Sequence, residues 1–260
     1  MPIIDINSWQ LQPQENGVAL LELQLVQKHS EQFAIHGRYS LQLNQPTQQP
    51  AEPRSIDLAL FQITSNHSLQ FLVFEHQLSA LQNQTNLTAN LHYDSPEKGH
   101  LAFDSEQNQL LIGIDSQTLP AGSPVFALAK QLRNQPRKNS SNAQLALLSS
   151  VNGFGFRIKP ARFMVDLDAP EAIGACGLLE DWKIPNRLAV TNGLVGAMEG
   201  DIVALTSSWV KTFFAHHTSS SPWQVWVFYG NKKGQQWLTF DGLQTREEFD
   251  KLLETLEQCS

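Results

Sequence analysis

The chain has 260 residues, with 18 Lys+Arg against 25 Asp+Glu and 41% hydrophobic residues. That is enough for a real core and for two domains of ordinary size. The net charge of −7 excludes general nucleic-acid binding, which needs a basic surface to displace counterions, and it opposes docking on an anionic membrane.

No run of about 18 apolar residues is present, so no transmembrane helix is expected. The N-terminal stretch MPIIDINSWQ lacks the basic and apolar regions of a secretory signal, and a cytoplasmic setting is expected. Two cysteines, Cys176 and Cys259, are too few for a disulfide framework in a chain this long. Charged residues make up only 17% of the chain, against about 25% in an ordinary domain. Amides supply the missing polarity: 21 of the 26 Gln lie before residue 151.

The first 120 residues read as β almost throughout. Leu21, Leu23 and Leu25 alternate with Glu22 and Gln24, the period of a half-buried strand. Asn16-Gly17 just before them signals a type I′ hairpin with Trp9–Gln14 as the partner strand. Phe33, Ile35, Tyr39, Leu41 and Leu43 repeat the period of two. Further strands are expected at 56–63, 69–74, 87–93, 101–103 and 110–114. Short strands at about 8–12-residue spacing indicate a sandwich or barrel.

Charge then changes sign. Residues 1–120 carry 4 basic and 12 acidic groups, whereas residues 121–150 carry Lys130, Arg133, Arg137 and Lys138 and no acid. Ser123-Pro124 opens a short helix to Arg133, and the polar run from Gln135 to Asn142 reads as an exposed loop. Beyond it, strands are expected at 155–158, 162–167 and 188–191, and a helix from Pro170 to Trp182 that Gly174 and Gly177 weaken. A second helix, 201–214, carries an apolar stripe of Ile202, Leu205, Trp209 and Phe213. A hairpin at 224–240 follows. In the last helix Thr245 and Glu248 form a capping box ahead of Phe249, Leu252, Leu253 and Leu256. The expected architecture is a β-sandwich-like domain (1–120), a basic connector (121–144) and a smaller mixed α/β domain (145–260) ending in a hairpin and helix.

The sharpest constellation is Phe163-Met-Val-Asp166-Leu-Asp168, an apolar strand running into two carboxylates that can share a Mg²⁺ ion. Leu188-Ala-Val-Thr191-Asn192 is a second apolar run that ends in a hydroxyl. Together these segments are similar to motifs of the haloacid-dehalogenase-like phosphohydrolases. The resemblance implies that Asp166 is the nucleophile, Asp168 the acid/base and Thr191 a phosphate ligand. Against it, Pro170 departs from the motif, and no later acidic pair completes the metal site. Asp168 with Asp181-Trp182-Lys183 is a loose metal-nuclease pattern that the acidic balance opposes. His216-His217 closes a helix, where adjacent side chains diverge by about 100° and rarely chelate one ion. The Gly193–Gly200 segment has the look of a phosphate cradle, but Glu199 and Asp201 would repel a phosphate and no Lys follows. Cys176 sits in an apolar stretch and reads as core.

Trp223, Trp226, Phe228 and Trp237 crowd one hairpin. They are either core or a stacking surface for a binding partner. With no complete catalytic signature, the expectation is a non-catalytic binding or assembly protein with a protein partner and no cofactor. The alternative is a Mg²⁺-dependent phosphohydrolase built on Asp166 and Asp168.

Overall fold

The computed structural model describes residues 3–26, 33, 35, 37–44, 54–65, 67–77, 88–94, 103–134, 142–216, 221–231 and 234–260. Six strands come from the first 94 residues: β1 (Ile3–Pro13), β2 (Val18–Leu25), β3 (Arg38–Asn44), β4 (Arg54–Ser65), β5 (Ser68–Phe74) and β6 (Thr88–Asp94). They pair in the order β1-β2-β5-β4-β3-β6, and β1 also pairs with β6, which closes a barrel. Closure is one of the two solutions open to short, alternating antiparallel strands, and it leaves no free edge.

The first hairpin turns at Asn16 (φ 55) and Gly17 (φ 69), the two left-handed positions of a type I′ turn. Leu21, Leu23, Leu58, Leu60, Phe71 and Leu91 fill the barrel. On its outer face Glu22 accepts hydrogen bonds from Gln24, Ser68 and Gln70, Gln62 donates to Gln70, and Lys130 donates to Gln62. These bonds, led by Gln70, lower the Glu22 carboxyl from its ordinary value. Here the glutamines bond to one another across strands.

The second sheet has six strands: β7 (Asn108–Ile114), β8 (Gln144–Ser150), β11 (Asn186–Val190), β12 (Met198–Glu199), β13 (Trp223–Asn231) and β14 (Gly234–Leu243). Their order is β12-β11-β8-β7-β13-β14, all parallel except β14. Helix α1 (Pro124–Asn134) joins β7 to β8 and covers one face of the sheet with Val125, Leu128 and Leu132. Helices α3 (Ile202–His216) and α4 (Arg246–Cys259) cover the other with Trp209, Val210, Phe249 and Leu252. The chain is thus a closed six-stranded barrel followed by a mixed α/β domain. Among the described residues no helix is long and apolar enough to cross a membrane.

Two local expectations are corrected. Residues 162–167 form no strand, because the backbone N–H groups of Arg162 and Phe163 donate to the buried carboxylate of Glu180. The expected helix from 170 to 182 shortens to α2 (Gly177–Asp181), preceded by β10 (Gly174–Cys176), which pairs with β9 (Ile158–Pro160). Gly174 is needed in that ladder, since a Cβ there would lie 2.3 Å from Ile158 and 2.8 Å from the Gly196 carbonyl.

The capping box of α4 forms as expected. Thr245 Oγ1 accepts the Glu248 N–H, and Glu248 Oε2 accepts the N–H groups of Thr245 and Gln244. Thr245→Ala is expected to lower stability by about 1 kcal/mol. Urea unfolding would read this as a lower midpoint at an unchanged slope.

Candidate functional site

In an open parallel sheet, ligands bind outside the carboxyl ends of the strands, where the strand order reverses. Here the chain leaves β7 toward β8 on one side, and β13 lies on the other. The switch point therefore falls between the ends of β7 and β13, at Ile114-Asp115 and Gly230-Asn231.

The segment 115–123 covers this point. A Cβ placed on Gly230 would come within 3.2 Å of Ala121 and 3.4 Å of Ser116 Oγ. Gly113 and Gly122 cross backbone to backbone, and a Cβ on Gly122 would lie 2.8–2.9 Å from atoms of Gly113 and Ile114. The barrel holds the segment down. Ser123 Oγ lies 3.0 Å from the carbonyl oxygens of both Ala59 and Leu60, and Gln77 donates to the Thr118 carbonyl at 2.8 Å.

A cleft opens beside the crossing, between barrel and sheet, lined by Leu72, Asp115, Gly122, Phe126, Phe154 and Phe156, among others. Phe154 and Phe156 stack with centroids 4.9 Å apart, and Phe156 meets Phe126 edge-on at 6.0 Å. The enclosed space is about 10 Å³, room for about one water.

Asp115 is the one acid of the lining. Its Oδ1 accepts the Gly122 N–H at 2.9 Å. Burial pushes its carboxyl up to about 7, and the Gly122 hydrogen bond offsets only part of that rise. A carboxyl that titrates near neutrality in a cleft is suited to proton transfer. Gln235 is paired in the ladder with Gly230 and shares the sheet face of Trp237. It is buried, and neither of its amide atoms has a hydrogen-bond partner, a condition that points to a missing ligand or water.

None of the sequence-expected site residues lies in this lining. Asp166, Asp168 and Thr191 are exposed, and Asp168 pairs with Lys211. No group of three or more potential metal ligands occurs among the described residues. Trp223, Trp226 and Phe228 are core, and Trp237 packs partly buried against the same cluster as Trp226. Burial drives the Cys176 thiol up to about 11, so it is no nucleophile at neutral pH. His216 is exposed at the end of α3, and His217 lies outside the described residues. The sequence signal for the cleft was Gly113-Ile-Asp115 ending an apolar run, with Gly122-Ser-Pro124 opening a helix. The long intervening segment, which fits no phosphate fingerprint, concealed it.

No family model matches the chain, and no curated protein matches its sequence. Solved structures do match. The flavohem-like FAD/NAD-binding domain of nitric oxide dioxygenase from Vibrio cholerae is 13% identical, with a TM-score of 0.48 over 76% of this chain and 78% of that one. The ferredoxin-NADP+ reductase of Plasmodium falciparum is 9% identical, with a TM-score of 0.48 over 82% and 83%. The cytochrome P450 reductase GcoB of Amycolatopsis is 12% identical, with a TM-score of 0.52 over 86% of this chain and 60% of that one.

The expectation of a non-catalytic assembly protein without a cofactor is corrected by the fold, which is the two-domain arrangement of the cytochrome P450 reductase GcoB. The Mg²⁺ phosphohydrolase alternative is corrected as well, since the described residues hold no cluster of metal ligands around Asp166 and Asp168. What the likeness to GcoB establishes is the fold: a barrel followed by an α/β domain, as in that protein.

Proposed function

We propose that the chain is an oxidoreductase whose chemistry takes place on a flavin-type ring at the junction of barrel and α/β sheet. The observation that carries this reading is the aromatic cleft at the carboxyl ends of the parallel strands β7 and β8, with Leu72 of the barrel on its far side. The lining suits a flat ring in kind, with Phe126, Phe154 and Phe156 offering apolar faces. The cleft is too small for any ring, so entry requires Phe154 and Phe156 to move aside, since segment 115–123 is pinned to the barrel.

When bound, a flavin supplies one- and two-electron chemistry. The chain's own contribution is to exclude water with Phe154 and Phe156 and to hold a proton on the Asp115 carboxyl. Ile173 and Val195 are exposed apolar side chains on either side of the Gly174–Gly196 contact and offer a protein partner a place to dock. A cytoplasmic setting agrees with the two unpaired cysteines.

The test is flavin binding followed by turnover. The purified protein, supplied with FAD or FMN, is expected to retain a flavin absorption spectrum through gel filtration. After reduction with dithionite it is expected to pass electrons to an artificial acceptor. A protein that retains neither flavin and reduces no acceptor would sink this reading.

A further inference from the structure

The reductase-like fold has a customary place for a dinucleotide pyrophosphate: the turn after the first parallel strand, where free backbone N–H groups and a helix N-terminus face the anion. In this chain that turn runs from Asp115 to the start of α1, and its donors are accounted for one by one.

The Asp115 N–H donates to the Ser149 carbonyl, and that of Ser116 to Leu119. Thr118 and Leu119 donate to Ser116 Oγ. Ala121 donates to the Leu119 carbonyl, Ser123 to Pro120, Val125 to Gly122 and Phe126 to Ser123. Gly122 donates to Asp115 Oδ1. Pro120 and Pro124 have no N–H to give. From 115 to 126 only Gln117, exposed at the outer tip, has no backbone donor bond shown. The Ser123 hydroxyl, the natural cap of α1, turns to the barrel carbonyls of Ala59 and Leu60. The first residues of α1, Pro124, Val125 and Phe126, are buried. At the glycine crossing the Gly122 N–H is taken by a carboxylic acid, Asp115, where a phosphate cradle needs neutral or positive groups.

From this inventory we infer that the β7–α1 turn does not accept a nucleotide pyrophosphate, so the α/β domain takes no nicotinamide dinucleotide at its switch point. The inference rests on the oxidoreductase reading, and it narrows the electron source. Reducing equivalents reach the cleft from a donor other than NADH or NADPH.

Amide hydrogen exchange on the full chain, with and without saturating NADH or NADPH, tests this. Exchange at residues 113–126 is expected to be unchanged by either nucleotide. Protection of Gly122, Ser123, Val125 or Phe126 would overturn the inference. Asp115→Asn separates charge from donor occupancy, because it removes the anion and leaves an oxygen to accept the Gly122 N–H. If the donors are committed, this variant also gains no protection from NADPH at pH 8. Protection in the variant alone would show that charge was the only barrier, and the inference would fail. The oxidoreductase reading is decided separately, by flavin retention and dithionite-driven turnover. Failure there leaves the exchange result at the turn standing, and protection at the turn overturns the inference without deciding flavin retention.

Discussion

At pH 8 the Asp115→Asn variant is expected to be more stable than the parent protein, and at pH 4 it is expected to lose that advantage. The carboxyl rises from 3.8 in the unfolded chain to about 7 in the fold. Below the lower value both states are protonated, and the group has no effect on the balance. Between the two values the unfolded chain gives up its proton while the fold keeps it, so stability falls as pH rises. Above the upper value the loss is complete. At about 1.4 kcal/mol per pH unit it amounts to roughly 4 kcal/mol.

Asparagine avoids that loss and keeps an acceptor for the Gly122 N–H. Its own amide N–H groups, poorly partnered in the cleft, cost about 1–3 kcal/mol. The net gain at pH 8 is therefore about 2 kcal/mol, and at pH 4 its sign is reversed or near zero. Urea midpoints of both proteins at the two pH values measure the crossing. Parallel pH profiles would show that Asp115 ionises as freely in the fold as in water.

Gly122→Ala is expected to destabilise by about 3 kcal/mol, at the upper end for an inserted methyl group. The new Cβ would stand 2.8 Å from the Gly113 carbonyl carbon and 2.9 Å from Gly113 Cα and the Ile114 nitrogen. All three are backbone atoms of β7, and β7 is hydrogen-bonded on both sides, to β8 and β13. The strand cannot yield, so the turn must lift. Lifting it strains the Gly122–Asp115 bond and the Ser123 contacts with the barrel. Denaturant unfolding gives the energy, and faster exchange of the Gly122 amide would locate the damage. A loss below about 1 kcal/mol would mean that the crossing is looser than its geometry.

The legible parts of the sequence were those written in local chemistry. Asn16-Gly17 fixes its hairpin, Ser123-Pro124 opens α1, and Thr245 with Glu248 starts α4. Alternation at Leu21, Leu23 and Leu25 gave the barrel strand its inward face. β8 is not legible in the sequence because it is buried on both faces, so Leu145-Ala-Leu-Leu148 shows no alternation. The strand expected at 162–167 failed for a nonlocal reason: Glu180, distant in sequence, takes the backbone donors that a ladder would use.

The site itself was the least visible. Asp115 matters because Gly122, Ser149, Phe154 and Phe156 line the same cleft. None of these neighbours can be inferred from the residues beside it in the chain. Asp166 and Asp168, two residues apart in the sequence, are both exposed, and Asp168 pairs with Lys211.

The bond between Ser123 and the barrel also bears on how the chain is made. All six barrel strands lie before residue 95, so during synthesis from the N-terminus they leave the ribosome ahead of the turn and α1. The carbonyls of Ala59 and Leu60 are then already in place when Ser123 emerges, and the start of α1 docks onto a finished surface. A circular permutant opened between β6 and β7, with the original termini joined, would reverse that order. Its first helix would be born without the surface that receives it.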